Sequence, residues 1–87
     1  MYIPTLDSAI VGKVLACYRQ QRGVSQEVLS GLADIGRSHL SAIERGKRKP
    51  TLETFYRICN ALDVKMSTVM LQLEKELENA NQGNTKK

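Results

Sequence analysis

The feature that most narrows the fold is the run at residues 25–50, SQEVLSGLADIGRSHLSAIERGKRKP. Ser25 is an N-cap residue followed by an acidic first-turn Glu27, which together mark a helix start. Leu29, Leu32 and Ala33 give that helix an inner face, and Asp34-Ile35-Gly36 leaves room only for a turn. A second helix follows over residues 37–45, with Leu40 and Ile43 turned inward and Gly46 as its stop. Two short helices crossing steeply need a small side chain at their contact, a turn residue that accepts positive φ, and two inward apolar groups three apart. Ser30, Asp34 and the Leu40/Ile43 pair meet those needs, since Asp tolerates the left-handed conformation better than most residues. The outer face of the second helix is then free to meet something else.

The flanking sequence reads as support for this pair. Upstream, Thr5 or Asp7 can cap a first helix over residues 6–22, whose stripe runs through Leu6, Ile10, Val14, Cys17 and Tyr18. Gly12 inside it permits a neighbour's close approach, and Arg22-Gly23 ends it with a cation and a glycine suited to the left-handed conformation. Downstream, Lys47-Arg48-Lys49 is a basic run closed by Pro50, and Thr51 caps a fourth helix with the stripe Leu52, Phe55, Ile58, Cys59 and Leu62. After Asp63-Val64-Lys65 a fifth helix starts near Met66 and continues to residue 78 or 79 through Val69, Met70, Leu73 and Leu77. No strand pattern competes and no repeat is visible, so the expected class is all-α. The division is a lead at 1–5, a helical domain at 6–70 with the two-helix motif at about 25–45, a C-terminal helix at 66–79 and a flexible tail at 80–87.

Composition bounds the partners and excludes other classes. A chain of 87 residues holds one domain, and 41% hydrophobic residues with 5% aromatic imply a single, aliphatic core. The net charge of +4 favours an anionic partner such as nucleic acid. No apolar run reaches the roughly 18–20 residues that cross a bilayer, and the N-terminus lacks a secretory signal's basic-then-apolar order. Cys17 and Cys59 are far apart and share the chain with one histidine, so neither a metal set nor a disulfide framework is expected, and both read as packing residues on apolar stripes. A reducing, cytoplasmic setting and no cofactor follow as expectations. No nucleophile or acid–base constellation suggests an enzyme.

The residues Ser25-Gln26-Glu27, Leu29, Ala33, Ile35, Arg37-Ser38, Leu40-Ser41, Ile43-Glu44-Arg45-Gly46-Lys47-Arg48 and Pro50-Thr51-Leu52 carry a resemblance. In them the chain resembles the phage-repressor/Cro-like helix-turn-helix family, also called the XRE family, and is similar to restriction–modification controller proteins. The likeness extends from about Gly12 to Val69 and is most specific in Ser41-Ala42-Ile43-Glu44-Arg45-Gly46. It implies a five-helix, lambda-repressor-like DNA-binding domain with an extended C-terminal helix. Ser30 and Asp34 stand where the family usually has alanine and glycine, Gly36 replaces the usual Ser or Thr cap, and Lys65 replaces a cap before the fifth helix. The Gly36 cap is weaker by a few tenths of a kcal/mol.

The resemblance implies that the third helix enters the major groove of an inverted-repeat operator, with Arg37, Ser38, Ser41 and Ala42 facing base edges. Arg37 can pair with guanine O6 and N7 together. Gln26, His39, Arg45, the Gly46 amide, Lys47, Arg48, Lys49 and Arg19 fall near the DNA backbone, where contacts fix register without reading sequence. Arg19 and Glu44 are implied to form a partly buried brace. Met70, Leu73 and Leu77 extend the fifth helix's stripe beyond what a four-helix core requires, so a homodimer through them is expected. An antitoxin of a toxin–antitoxin pair and a protein-interaction module that does not read DNA are the alternatives. No residue signature identifies an RNA polymerase contact.

Overall fold

A computed structural model describes the backbone of residues 3–85 and the side chains of residues 3–80. It contains α1 (Ser8–Gln21), α2 (Gln26–Ala33), α3 (Arg37–Glu44), α4 (Leu52–Ala61) and α5 (Met66–Thr85), with no strand among the described residues. Each of the first four helices is closed by one left-handed residue, which the chain places where it must reverse: Gly23 (φ 68°), Asp34 (φ 57°), Gly46 (φ 77°) and Asp63 (φ 57°). Three helix starts are capped by side chains two or three residues ahead of the N–H they satisfy. Asp7 Oδ1 accepts from the Ala9 N–H at 2.9 Å, Ser25 Oγ from Val28 at 3.1 Å and Thr51 Oγ1 from Thr54 at 3.1 Å. Gly36, before α3, makes no side-chain cap bond.

The core is aliphatic, as the composition requires. Leu15, Leu29, Leu40, Ile43, Ile58, Cys59 and Val69 are fully buried, and Phe55 is the buried aromatic ring among them. α2 packs on α3 and α4, and α1 packs on α3 and α5. Ser30 is buried on α2, and its hydroxyl donates to the Glu27 carbonyl at 3.0 Å, so the small polar group at the crossing is satisfied.

Four apolar residues lie outside the stripes assigned to them. α1 starts at Ser8, and its buried strip is Val11, Gly12, Val14 and Leu15. Leu6 precedes the helix and is 44% exposed. Cys17 sits about 200° around the helix from Leu15 and is exposed rather than packed. Leu32 lies about 100° from Ala33 on a flank of α2 that no helix covers, and Leu52 opens α4 ahead of its covered part.

α5 also differs from the expected helix: it continues to Thr85. Leu73 is only 6% exposed and Leu77 packs partly against the core, because α5 lies back along α1 and α4. The premise that Leu73 needs a second chain to cover it is therefore corrected. Met70, at 37%, remains exposed.

Candidate nucleic-acid interface

The position of α3 is set by two glycines. A Cβ on Gly12 would overlap the Ile43 carbonyl oxygen and lie 2.6 Å from that of Glu44, so α1 and the end of α3 touch backbone to backbone. A Cβ on Gly46 would stand 2.8 Å from the Ala9 Cα, which brings the turn after α3 against the start of α1. Leu40 and Ile43, both completely buried, fix the rotation of α3 about its axis. At about 100° per residue, the opposite face carries Arg37, Ser41 and Arg45 in line, with Ser38 and Ala42 beside them. Arg37, Ser38 and Arg45 are exposed, Ser41 and Ala42 half-buried. The four residues assigned to base edges thus share one face, and Arg45, assigned to the DNA backbone, shares it too. Its Nε donates back to the Ser41 carbonyl at 3.3 Å. His39 is half-buried on the adjoining flank.

A polar network joins this helix to its two neighbours. Arg19 of α1 reaches Glu44, the last residue of α3, through two parallel bonds: Nε to Oε2 at 2.7 Å and Nη2 to Oε1 at 3.0 Å. The two side chains are 13% and 6% exposed, and the bond to Glu44 raises the Arg19 pKa above its ordinary value. Arg19 Nη1 donates to the Val24 carbonyl at 2.8 Å and so holds the α1–α2 loop. Three of the five guanidinium N–H bonds are therefore engaged inside the chain. Arg19 is thus bound as the brace that the resemblance implies. Removing one partner of so buried a pair costs about 3–5 kcal/mol.

One further assignment changes on geometry. The Gly46 N–H, expected to meet a phosphate, donates to the Ile43 carbonyl at 3.0 Å, and the Lys47 N–H to that of Ala42 at 2.9 Å. These bonds close the C-terminus of α3, so Gly46 serves the turn. Gln26, half-buried at the first position of α2, donates from Nε2 to Glu44 Oε1 at 2.9 Å. Sequence reasoning missed that link because a first-turn glutamine carries no sign of a partner in another helix. It also missed Arg22, whose Nε and Nη2 donate to the carbonyls of Leu62 at 2.7 Å and Asp63 at 3.1 Å. That guanidinium caps the end of α4 rather than serving α1.

Lys47, Arg48 and Lys49 are exposed immediately past α3, so the basic run borders the exposed face of that helix. On the far side of Lys49 lies an apolar groove of about 270 Å³, lined by Leu6, Leu52, Phe55, Met70, Leu73 and Leu77. No group of three or more potential metal ligands occurs among the described residues, and no described helix is long and apolar enough to cross a membrane.

The architecture and the exposed face of α3 define a class, and comparison with known proteins agrees. A family model described as helix-turn-helix matches residues 17–69, and the chain belongs to this XRE-type family of transcriptional regulators. An uncharacterized HTH-type transcriptional regulator of Sinorhizobium fredii is 36% identical over 55 residues, which are 63% of this chain and 71% of that protein. The transcriptional regulator ClgR of Mycobacterium tuberculosis is 36% identical over 62 residues, 71% of this chain and 55% of that one. Among solved structures, the restriction–modification controller protein C.AhdI of Aeromonas hydrophila is 31% identical with a TM-score of 0.71, over 75% of this chain and 98% of that one. A variant of the controller protein C.Esp1396I bound to its highest-affinity operator site is 27% identical with a TM-score of 0.77, over 85% and 97%.

Proposed function

We propose that this chain is a sequence-specific DNA-binding transcriptional regulator that acts as a homodimer on an inverted-repeat operator. The observation that carries this reading is the face of α3: Arg37, Ser38, Ser41 and Ala42 point away from a core that Leu40 and Ile43 anchor, with exposed Lys47, Arg48 and Lys49 at one end. Arg37 reads a guanine through O6 and N7, Ser38 and Ser41 donate to bases or phosphates, and the Ala42 methyl suits a thymine methyl. Gln26 at the start of α2, with His39, Arg45 and the basic run, holds the sugar–phosphate backbone. The operator complex of the similar controller protein supports placing α3 against DNA.

For the dimer we propose the apolar groove beside Lys49. Met70, Leu73 and Leu77 line it, and the exposed Leu52 and Leu6 supply surface for a self-complementary contact about a two-fold axis. Lys49 and Glu74 also line it, so a two-fold can set each against the other's copy. Such a dimer spaces two reading helices about 34 Å apart, one turn of DNA. Selection of bound duplexes from a random pool, at stated salt, tests the whole reading. The expected product is an inverted repeat; a pool that stays random after selection removes it.

A further inference from the structure

We propose that Glu44 is a positioning residue for DNA backbone binding: its carboxylate orients the Gln26 amide, so that one N–H of Nε2 is fixed internally and the second is presented to a phosphate. The proposal rests on the DNA-binding reading above and assigns Glu44 a task beyond bracing α1. Three observations carry it. Glu44 Oε1 accepts at once from Arg19 Nη2 at 3.0 Å and Gln26 Nε2 at 2.9 Å, while Oε2 takes Arg19 Nε at 2.7 Å. The Glu44 side chain is 6% exposed, so this carboxylate is enclosed by its donors rather than solvated. Gln26 is the first residue of α2, next to the backbone N–H groups that helix geometry leaves without intrahelical partners, since the Ser25 hydroxyl takes only that of Val28.

An unrestrained glutamine at a helix start samples several rotamers and loses that freedom on binding. Here the amide is already held. A primary amide has two N–H donors, and with one bonded to Glu44 the other is left for an oxygen acceptor such as a phosphate. The same carboxylate ends the reading helix, so it ties the start of α2 to the end of α3. Its negative charge is offset by Arg19 within the network. Simple electrostatics would have Glu44 repel DNA; on the proposal, losing the carboxylate weakens binding.

The test is a double-substitution comparison on a mixed-sequence 30-base-pair duplex at low salt, where backbone contacts dominate affinity. Replacing both ion-pair partners, Arg19→Met with Glu44→Met, leaves the net charge unchanged, and replacing a buried pair with apolar residues preserves many folds. Gln26→Ala is expected to weaken duplex binding about tenfold in the native background, the scale of a hydrogen bond to a charged group. In the doubly substituted background it is expected to change binding less than about twofold. Equal losses in both backgrounds overturn the proposal while leaving DNA binding intact; no binding of any duplex by the native chain overturns the functional reading itself. A second readout needs only the native protein without DNA. The Gln26 side-chain amide protons are expected to exchange with water more slowly than those of the exposed Gln20, and equal rates overturn the proposal.

Discussion

Arg37 and Lys47 are exposed at opposite ends of the α3 region, and their chemistry separates two kinds of contact. Arg37→Ala is expected to relax preference at particular base positions, because a guanidinium pairs with guanine at two points. Lys47→Ala is expected to weaken all sequences alike and to reduce the salt slope by about one. Binding isotherms on matched and mismatched duplexes at several salt concentrations measure both, and identical behaviour of the two variants would end the division into base and backbone contacts. Cys59 offers a test of burial. It is 1% exposed, and burial pushes its thiol pKa up from 9.0 to about 11. The folded state thus holds its proton where the unfolded chain has lost it. The stabilisation is complete below pH 9 and declines as pH rises through about 11. Denaturant titrations from pH 8 to 11 should show a shallower alkaline loss for Cys59→Val than for the native chain. Parallel curves would contradict the assignment.

Two glycines on neighbouring elements predict opposite signs for the same substitution. Gly31 lies in the interior of α2, exposed, with nothing within 4 Å of a Cβ placed there. Gly31→Ala removes backbone freedom from the unfolded chain and is expected to stabilise by about 1 kcal/mol, raising Tm by roughly 4–8 °C for a domain of this size. Gly12→Ala drives a methyl group into the carbonyls of Ile43 and Glu44. The contact is with backbone, which cannot rotate away, so α3 must shift, at a cost of about 1–3 kcal/mol or more. Thermal unfolding of both variants decides the point, and a Gly12→Ala protein as stable as the native one would show that α1 and α3 do not touch as described. Any shift of α3 also moves its exposed face relative to the basic run, so on the proposed function it would alter DNA binding as well.

At the scale of the whole molecule the proposed dimer would set the spacing of two α3 helices. Leu73 belongs to the chain's own core, so truncating α5 before it would unfold the domain and could not test assembly. Point charges in the groove can. Met70 and Leu52 are both exposed on its walls, and Met70→Glu with Leu52→Glu places carboxylates there without removing a buried group. The expected outcome is a folded monomer by sedimentation, with native helicity and reduced affinity for an inverted repeat. A variant that still sediments as a dimer would move the interface elsewhere on the surface.

The sequence by itself determined most helix caps and stops and which helices form the motif, while it misplaced the start of α1 and the end of α5. Asp7, Ser25 and Thr51 cap because a short side-chain oxygen satisfies a nearby N–H, and Gly23, Asp34 and Gly46 reverse the chain because they accept positive φ. These are interactions between neighbours in the chain, readable without a fold. The Arg19–Glu44 pair came from family resemblance rather than from any local signal. Only the tertiary structure decided which flank of each helix is covered: Cys17, Leu32 and Leu52 lie outside while Leu73 lies inside. Periodicity fixes which residues share a face, but cover depends on where the next helix lies. The same holds for partners distant in sequence. Gln26 meets Glu44 across 18 residues and Arg22 meets Leu62 across 40, and such bonds exist only once the helices have packed.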